Sequence, residues 1–158
     1  MRCQRINTGI IAVCLFFSPA LPLFTQGAPA APGPEEIAQD PALLVGATLS
    51  DLIARFGVPK QVKAVRGIAE WQDDVVFIYD SGEYYVYLDR VWQIRVKAAY
   101  GIKEGDPRAA VNRVLGEGRD FEGYSLYQRP SRVWPIMVRI NWTSSNRSEG
   151  IYIFRSDF

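Results

Sequence analysis

Val75-Val76-Phe77-Ile78-Tyr79-Asp80-Ser81-Gly82-Glu83-Tyr84-Tyr85-Val86-Tyr87-Leu88 sets β-branched and aromatic residues on both sides of a short polar break that contains a glycine. Such residues suit a pleated, half-buried surface, so the stretch predicts a β-hairpin turning at Ser81-Gly82, with Asp80 opposite Glu83. Side chains alternate along a strand. One face of the hairpin therefore carries Val75, Phe77, Tyr79, Tyr84, Val86 and Leu88, and the other carries Val76, Ile78, Tyr85 and Tyr87. After Asp89-Arg90, Val91 to Val96 predicts a further strand with Trp92, Ile94 and Val96 together.

Upstream, the run from Gly46 to Pro59 has the signals of a short helix. Thr48 with Asp51 three residues on suits its start, Leu49, Leu52, Ile53 and Phe56 share one side, and Gly57 stops it. Downstream, Gly105 to Gly116 repeats the design, with Asp106 as N-cap, Pro107 in the first turn, Val111, Val114 and Leu115 on one face and Gly116 as stop. The two segments are equal in length, and the same offset lays Trp92-Gln93-Ile94-Arg95 on Ile151-Tyr152-Ile153-Phe154. This predicts two tandem helix-plus-strand units, about 43–100 and 101–158.

In the second unit Ile136 to Trp142 alternates, with Ile136, Val138, Ile140 and Trp142 inward and Met137, Arg139 and Asn141 outward. Pro130 and Pro135 weaken the strand expected before it. The fold class expected is α+β: an antiparallel sheet of about six to eight strands with two main helices packed on one face.

The first 30 residues have the three parts of an export signal: Arg2 and Arg5, an apolar run from Ile10, and small residues around Gly27, Ala28 and Ala30. Pro19 and Pro22 interrupt the apolar run, so no membrane span is expected after cleavage. Residues 31–42, rich in Pro and Ala, are expected to form a flexible tether leading to a single domain over 43–158. Both cysteines, Cys3 and Cys14, fall in the export segment, which leaves the mature chain without disulfides and favours a bacterial periplasmic or secreted setting. The chain has 18 basic and 17 acidic residues; removing Arg2 and Arg5 leaves 16 against 17. That balance offers nucleic acid no basic surface.

Asp51 to Pro59, Tyr85 to Ile94 and the echo of the first helix in Ala110 to Gly116 carry a resemblance to the SmpA/OmlA (BamE-like) envelope proteins and to the tandem-repeat β-lactamase-inhibitor-like fold. The resemblance implies a small exported domain presenting a sheet face or loops to a protein partner. The chain departs from the BamE-like pattern in its two units and in the bulky Val13 before Cys14, where lipid attachment wants a small residue. No functional residue is carried over.

Histidine is absent and the mature chain has no cysteine, which excludes Ser-His-acid, Cys-His and His-ligated zinc chemistry. No cofactor motif is present, and no cofactor or metal is expected. A carboxylate hydrolase would have to draw its pair from Glu70, Asp73, Asp74, Asp80 and Glu83, set about 5 to 10 Å apart across a cleft. A glycan-binding domain would use Trp71, Trp92, Trp134 or Trp142 as platforms. The reading preferred over both is a non-catalytic binding module of the cell envelope. Its partner is an envelope or extracellular protein, met through Val76, Ile78, Tyr85 and Tyr87, with Met137 and Arg139 extending the patch if the strands share one sheet.

Overall fold

The structure is a computed structural model, and it describes residues 32–66, 73–131 and 133–157. The export segment expected over 1–30 lies outside the described residues, as do Glu70 and Trp71. In chain order the elements are α1 (Pro34–Gln39), a 3-10 turn (Pro41–Leu44), α2 (Leu49–Phe56), β1 (Gln61–Arg66), β2 (Asp73–Tyr79), β3 (Gly82–Tyr87) and β4 (Arg90–Val96). A small hairpin follows, β5 (Ala98–Ala99) and β6 (Ile102–Lys103), then α3 (Arg108–Leu115), β7 (Arg119–Phe121), β8 (Tyr124–Arg129), β9 (Ile136–Trp142) and β10 (Ser148–Arg155).

Eight strands form one antiparallel sheet in the order β1-β2-β3-β4-β10-β9-β8-β7. Its middle is the β4–β10 pair, where Ile94 faces Ile153 and Val96 faces Ile151. This corrects the expected α+β class of two tandem helix-plus-strand units. Of the described residues 48% are strand and 22% helix, forming one large antiparallel sheet with three short helices. Ladder hydrogen bonds cross the supposed boundary, and helices of at most eight residues are too short to hold together without the sheet beneath them.

The core lies on one sheet face. Tyr84, Val91, Ile94, Val138, Ile140, Ile151 and Ile153 pack there with Leu52 of α2, Val111 of α3, Leu44 of the 3-10 turn and Val45 just after it. Leu52 and Val111 are fully buried, each contributing about 1.5–3 kcal/mol of apolar burial. Phe56 closes one end, its ring 5.2 Å from that of Tyr79 and 5.3 Å from that of Tyr84.

Local chemistry explains the helix ends. Thr48 Oγ1 accepts from the Asp51 amide at 3.1 Å, and the Thr48 amide donates to Asp51 Oδ2 at 2.8 Å. In α3 the cap is Pro107 rather than the expected Asp106. The Asp106 carboxylate is engaged elsewhere, accepting from the Lys103 amide at 2.9 Å to close the turn that leads into the helix.

The tether expected over 31–42 is also corrected, because it carries α1 and the start of the 3-10 turn. Pro34 opens α1 with the fixed φ a first helical turn wants, and Glu36 reaches back to the Gly33 amide at 2.8 Å. Ile37 is buried in the core, and Arg55 donates to the Pro32 carbonyl. Ile37 is joined by buried Pro41 and by Ala42 packed against the core, so the run is docked rather than free.

The hairpin turns one step earlier than expected, through Asp80-Ser81, with Tyr79 opposite Gly82 and Ile78 opposite Glu83. The register moves by two residues, so the two faces keep their members. Gly82 sits in the strand because β4 comes close: a Cβ there would lie 2.5 Å from the Arg95 carbonyl oxygen. Leu88, expected inward, is at the next turn and 79% exposed. A bulge between Tyr85 and Val86 on the β4 side moves Trp92 off the core face, and it joins Tyr85 and Asp74 on the other.

Candidate functional site

The face of the sheet away from the helices holds the residues expected to bind. Ile78, Tyr85 and Tyr87 are half-buried there, as are Met137 and Arg139. Because β4 pairs with β10 and β10 with β9, these residues share one continuous sheet. Val76 is fully buried and has no surface to offer a partner, which corrects its place in the expected patch.

A row of side chains crosses this face by register. Glu83 of β3 stands opposite Arg95 of β4, Arg95 opposite Tyr152 of β10, and Tyr152 opposite Arg139 of β9. Arg95 donates to Glu83 Oε1 at 2.9 Å and to Glu104 Oε1 at 3.2 Å. Lys63 lies 3.5 Å from Glu83 Oε2, and the Tyr85 hydroxyl donates to the same oxygen at 3.2 Å. Burial alone would raise the Glu83 carboxyl. The Arg95 hydrogen bond, the Lys63 and Arg95 charges and the Tyr85 hydroxyl together hold it below the usual carboxylate range. Burial first, then the Glu83 charge, pushes the Tyr85 hydroxyl up to about 12, so Tyr85 stays neutral.

Arg139 ends the row differently. Its guanidinium carbon lies 4.3 Å from the Tyr152 ring centre and 5.9 Å from that of Tyr124. The buried Nε atoms of Arg95, Arg108 and Arg139 all lack a hydrogen-bond partner among the described residues. Arg95 and Arg108 nevertheless form ion pairs, with Glu83 and Glu104 and with Asp120; among the described residues Arg139 forms none.

Of the carboxylates weighed for hydrolysis, Asp73, Asp74, Asp80 and Glu83 are among the described residues, and each is engaged by a neighbouring side chain. Asp73 pairs with Arg66 at 3.1 Å and Asp80 with Lys60 at the hairpin end, both exposed. Asp74 is buried and accepts from the Trp92 indole at 3.1 Å. Neighbours on one strand, Asp73 and Asp74 point to opposite faces of the sheet. Two tryptophans weighed as glycan platforms are buried: Trp92 on Asp74, and Trp142, whose indole donates to Ser125 Oγ at 2.7 Å.

Trp134 has another role, which the sequence reading missed. It walls a cavity of about 750 Å³ between the 3-10 turn, the β5–β6 turn and the loop after β8. One face of its indole is covered by the Arg155 guanidinium at 3.7 Å, and its edge lies against Gly46, where a Cβ would meet Nε1 at 2.7 Å. Tyr100, at the β5–β6 turn, donates its hydroxyl to Asp40 Oδ1 at 2.9 Å, and the Arg129 guanidinium lies 4.4 Å from the Tyr100 ring centre. Burial, followed by the Asp40 charge, holds the Tyr100 hydroxyl well above its ordinary value. The one local signal was the Arg129-Pro130-Ser131 and Trp134-Pro135 pattern, which marks a constrained loop.

No family model matches the chain, and no curated protein does, so the SmpA/OmlA resemblance has no match of its own behind it. Among solved structures the chain is similar to an extracellular protein containing an SCP domain from Bacillus anthracis str. Ames, with a TM-score of 0.47 and 12% identity. The match covers 72% of this chain and 45% of that one, so the chain spans less than half the length of that protein.

Proposed function

We propose that this chain is an exported, non-catalytic binding module of the cell envelope that recognises a protein partner through the outer face of its sheet. The observation that carries the reading is Arg139, a guanidinium held over one tyrosine and beside a second with no carboxylate among the described residues. Arginine presents a planar fork of donors that matches a carboxylate, and an aromatic platform orients that fork before the partner arrives. Around it Glu83 and Glu104 are already held by Arg95 and Lys63, and Asp74 is buried under the Trp92 indole, so the nearby carboxylates are engaged elsewhere. The face therefore suits an acidic side chain set among apolar neighbours, with Tyr85, Tyr87 and Met137 supplying contact area.

Support for a role without chemistry comes from the candidate carboxylates among the described residues, which are engaged in ion pairs or a buried hydrogen bond. Export rests on the N-terminal signal pattern; among the described residues no helix is long and apolar enough to cross a membrane. The test is partner affinity measured with Arg139→Gln and Arg139→Lys across a salt series. The glutamine variant is expected to weaken binding and flatten the salt dependence, with lysine restoring part of both. Equal affinity in all three proteins would refute the reading.

A further inference from the structure

The cavity walled by Trp134 is a second place where the molecule is built to receive something, independent of the sheet face. We propose that it binds a small amphiphile with a single carboxylate on an apolar body. Its volume of about 750 Å³ falls within the ~300–1,000 Å³ usual for ligand sites. Its wall is mainly apolar: Leu43 is 48% exposed and Val133 72%, large side chains that a folded domain otherwise tends to cover.

The polar groups on the wall divide into committed and free. Asp40 Oδ1 accepts from the Tyr100 hydroxyl and from the Ala42 amide, and Ser131 Oγ accepts from the amides of Val133 and Trp134. Arg129 has no oxygen partner among the described residues, and its guanidinium carbon lies 4.4 Å from the Tyr100 ring centre. A partly buried guanidinium resting on an aromatic face is the group that would fix the head of an anionic ligand. Trp134, pinned by Arg155 and by its approach to Gly46, gives the apolar body a rigid surface. The Asp40 carboxylate on the same wall repels a second negative charge, so the site selects a monoanion over a dianion.

Octanoate, 1-octanol and suberate share chain length and differ in charge, and they serve as probes. Binding is followed by the amide and indole N–H spectrum of the protein, with Trp134→Phe assigning the Trp134 indole signal. Octanoate is expected to shift that signal saturably and to bind at least about tenfold more tightly than octanol or suberate. Arg129→Gln is expected to abolish the preference for octanoate over octanol, its remaining spectrum reporting an intact fold. Leu43→Asp, at a half-exposed position, is expected to weaken octanoate by charge alone. The proposal is overturned if octanoate gives no saturable shift at Trp134, if suberate binds as tightly, or if folded Arg129→Gln binds octanoate unchanged. None of these outcomes bears on Arg139, which lies on the sheet surface.

Discussion

The guanidinium of Arg139 lies 4.3 Å from the centre of the Tyr152 ring, directly across the β9–β10 ladder, and forms no ion pair among the described residues. Arg95, on the other side of the same tyrosine, is held by two carboxylates. Two arginines flank one aromatic ring, one held by carboxylates of the fold and one without an ion pair among the described residues.

Replacing Arg139 by Gln should therefore separate binding from stability. The expected loss in partner affinity is about tenfold or more, from removing a charged hydrogen-bonding group. The change in folding free energy should stay within about 1 kcal/mol, the scale of a cation–π contact at a partly exposed site. Calorimetric binding and urea unfolding on the same preparations check both.

Glu83 should set part of the acid sensitivity. Its folded pKa is lowered, so the stability it contributes is fully present above the unfolded value of about 4.3 and is lost as pH falls through the folded value. Glu83→Gln should be less stable than the parent at neutral pH, with a shallower fall in unfolding midpoint towards acid. Parallel curves for the two proteins would contradict this.

Two glycines test how tightly the cavity wall is built. Gly46 and Gly101 have φ of 90° and 78°, which cost an alanine about 1–2 kcal/mol at either place. A Cβ at Gly46 would also strike the Trp134 indole, while nothing lies within 4 Å of one at Gly101. Gly46→Ala should destabilise more than Gly101→Ala, and it alone should change the tryptophan near-ultraviolet circular dichroism.

Thr48→Ala removes one half of the capping interaction that starts α2 and should cost about 1 kcal/mol, read as a lower unfolding midpoint.

Much of this architecture is local and so could be read from the residues. Period-two alternation assigned the faces of β2, β3 and β9, and Thr48, Asp51 and Gly57 bracketed α2. What escaped depends on contacts distant in sequence. The β4–β10 pairing joins residues more than fifty positions apart, and no periodicity announces which strands will meet at the middle of the sheet. The bulge that turns Trp92 outward is one residue of slack in an otherwise regular strand. The cavity draws Asp40, Gly46, Tyr100, Arg129 and Trp134 from separate segments, and its geometry exists only after folding. The outward placement of Ile78, Tyr85, Tyr87, Met137 and Arg139 followed from alternation, whereas the burial of Val76 depends on tertiary packing around β2.

The most direct test of partner recognition by the outer sheet face is photo-crosslinking in intact cells, with the reactive residue at Met137 and, as control, at Val114. Met137 neighbours Arg139 on the outer face, and Val114 is 46% exposed on α3. One discrete polypeptide adduct is predicted from position 137, absent from position 114 and lost when Arg139→Glu is added. No adduct at 137, or one that persists with Arg139→Glu, would contradict the claim.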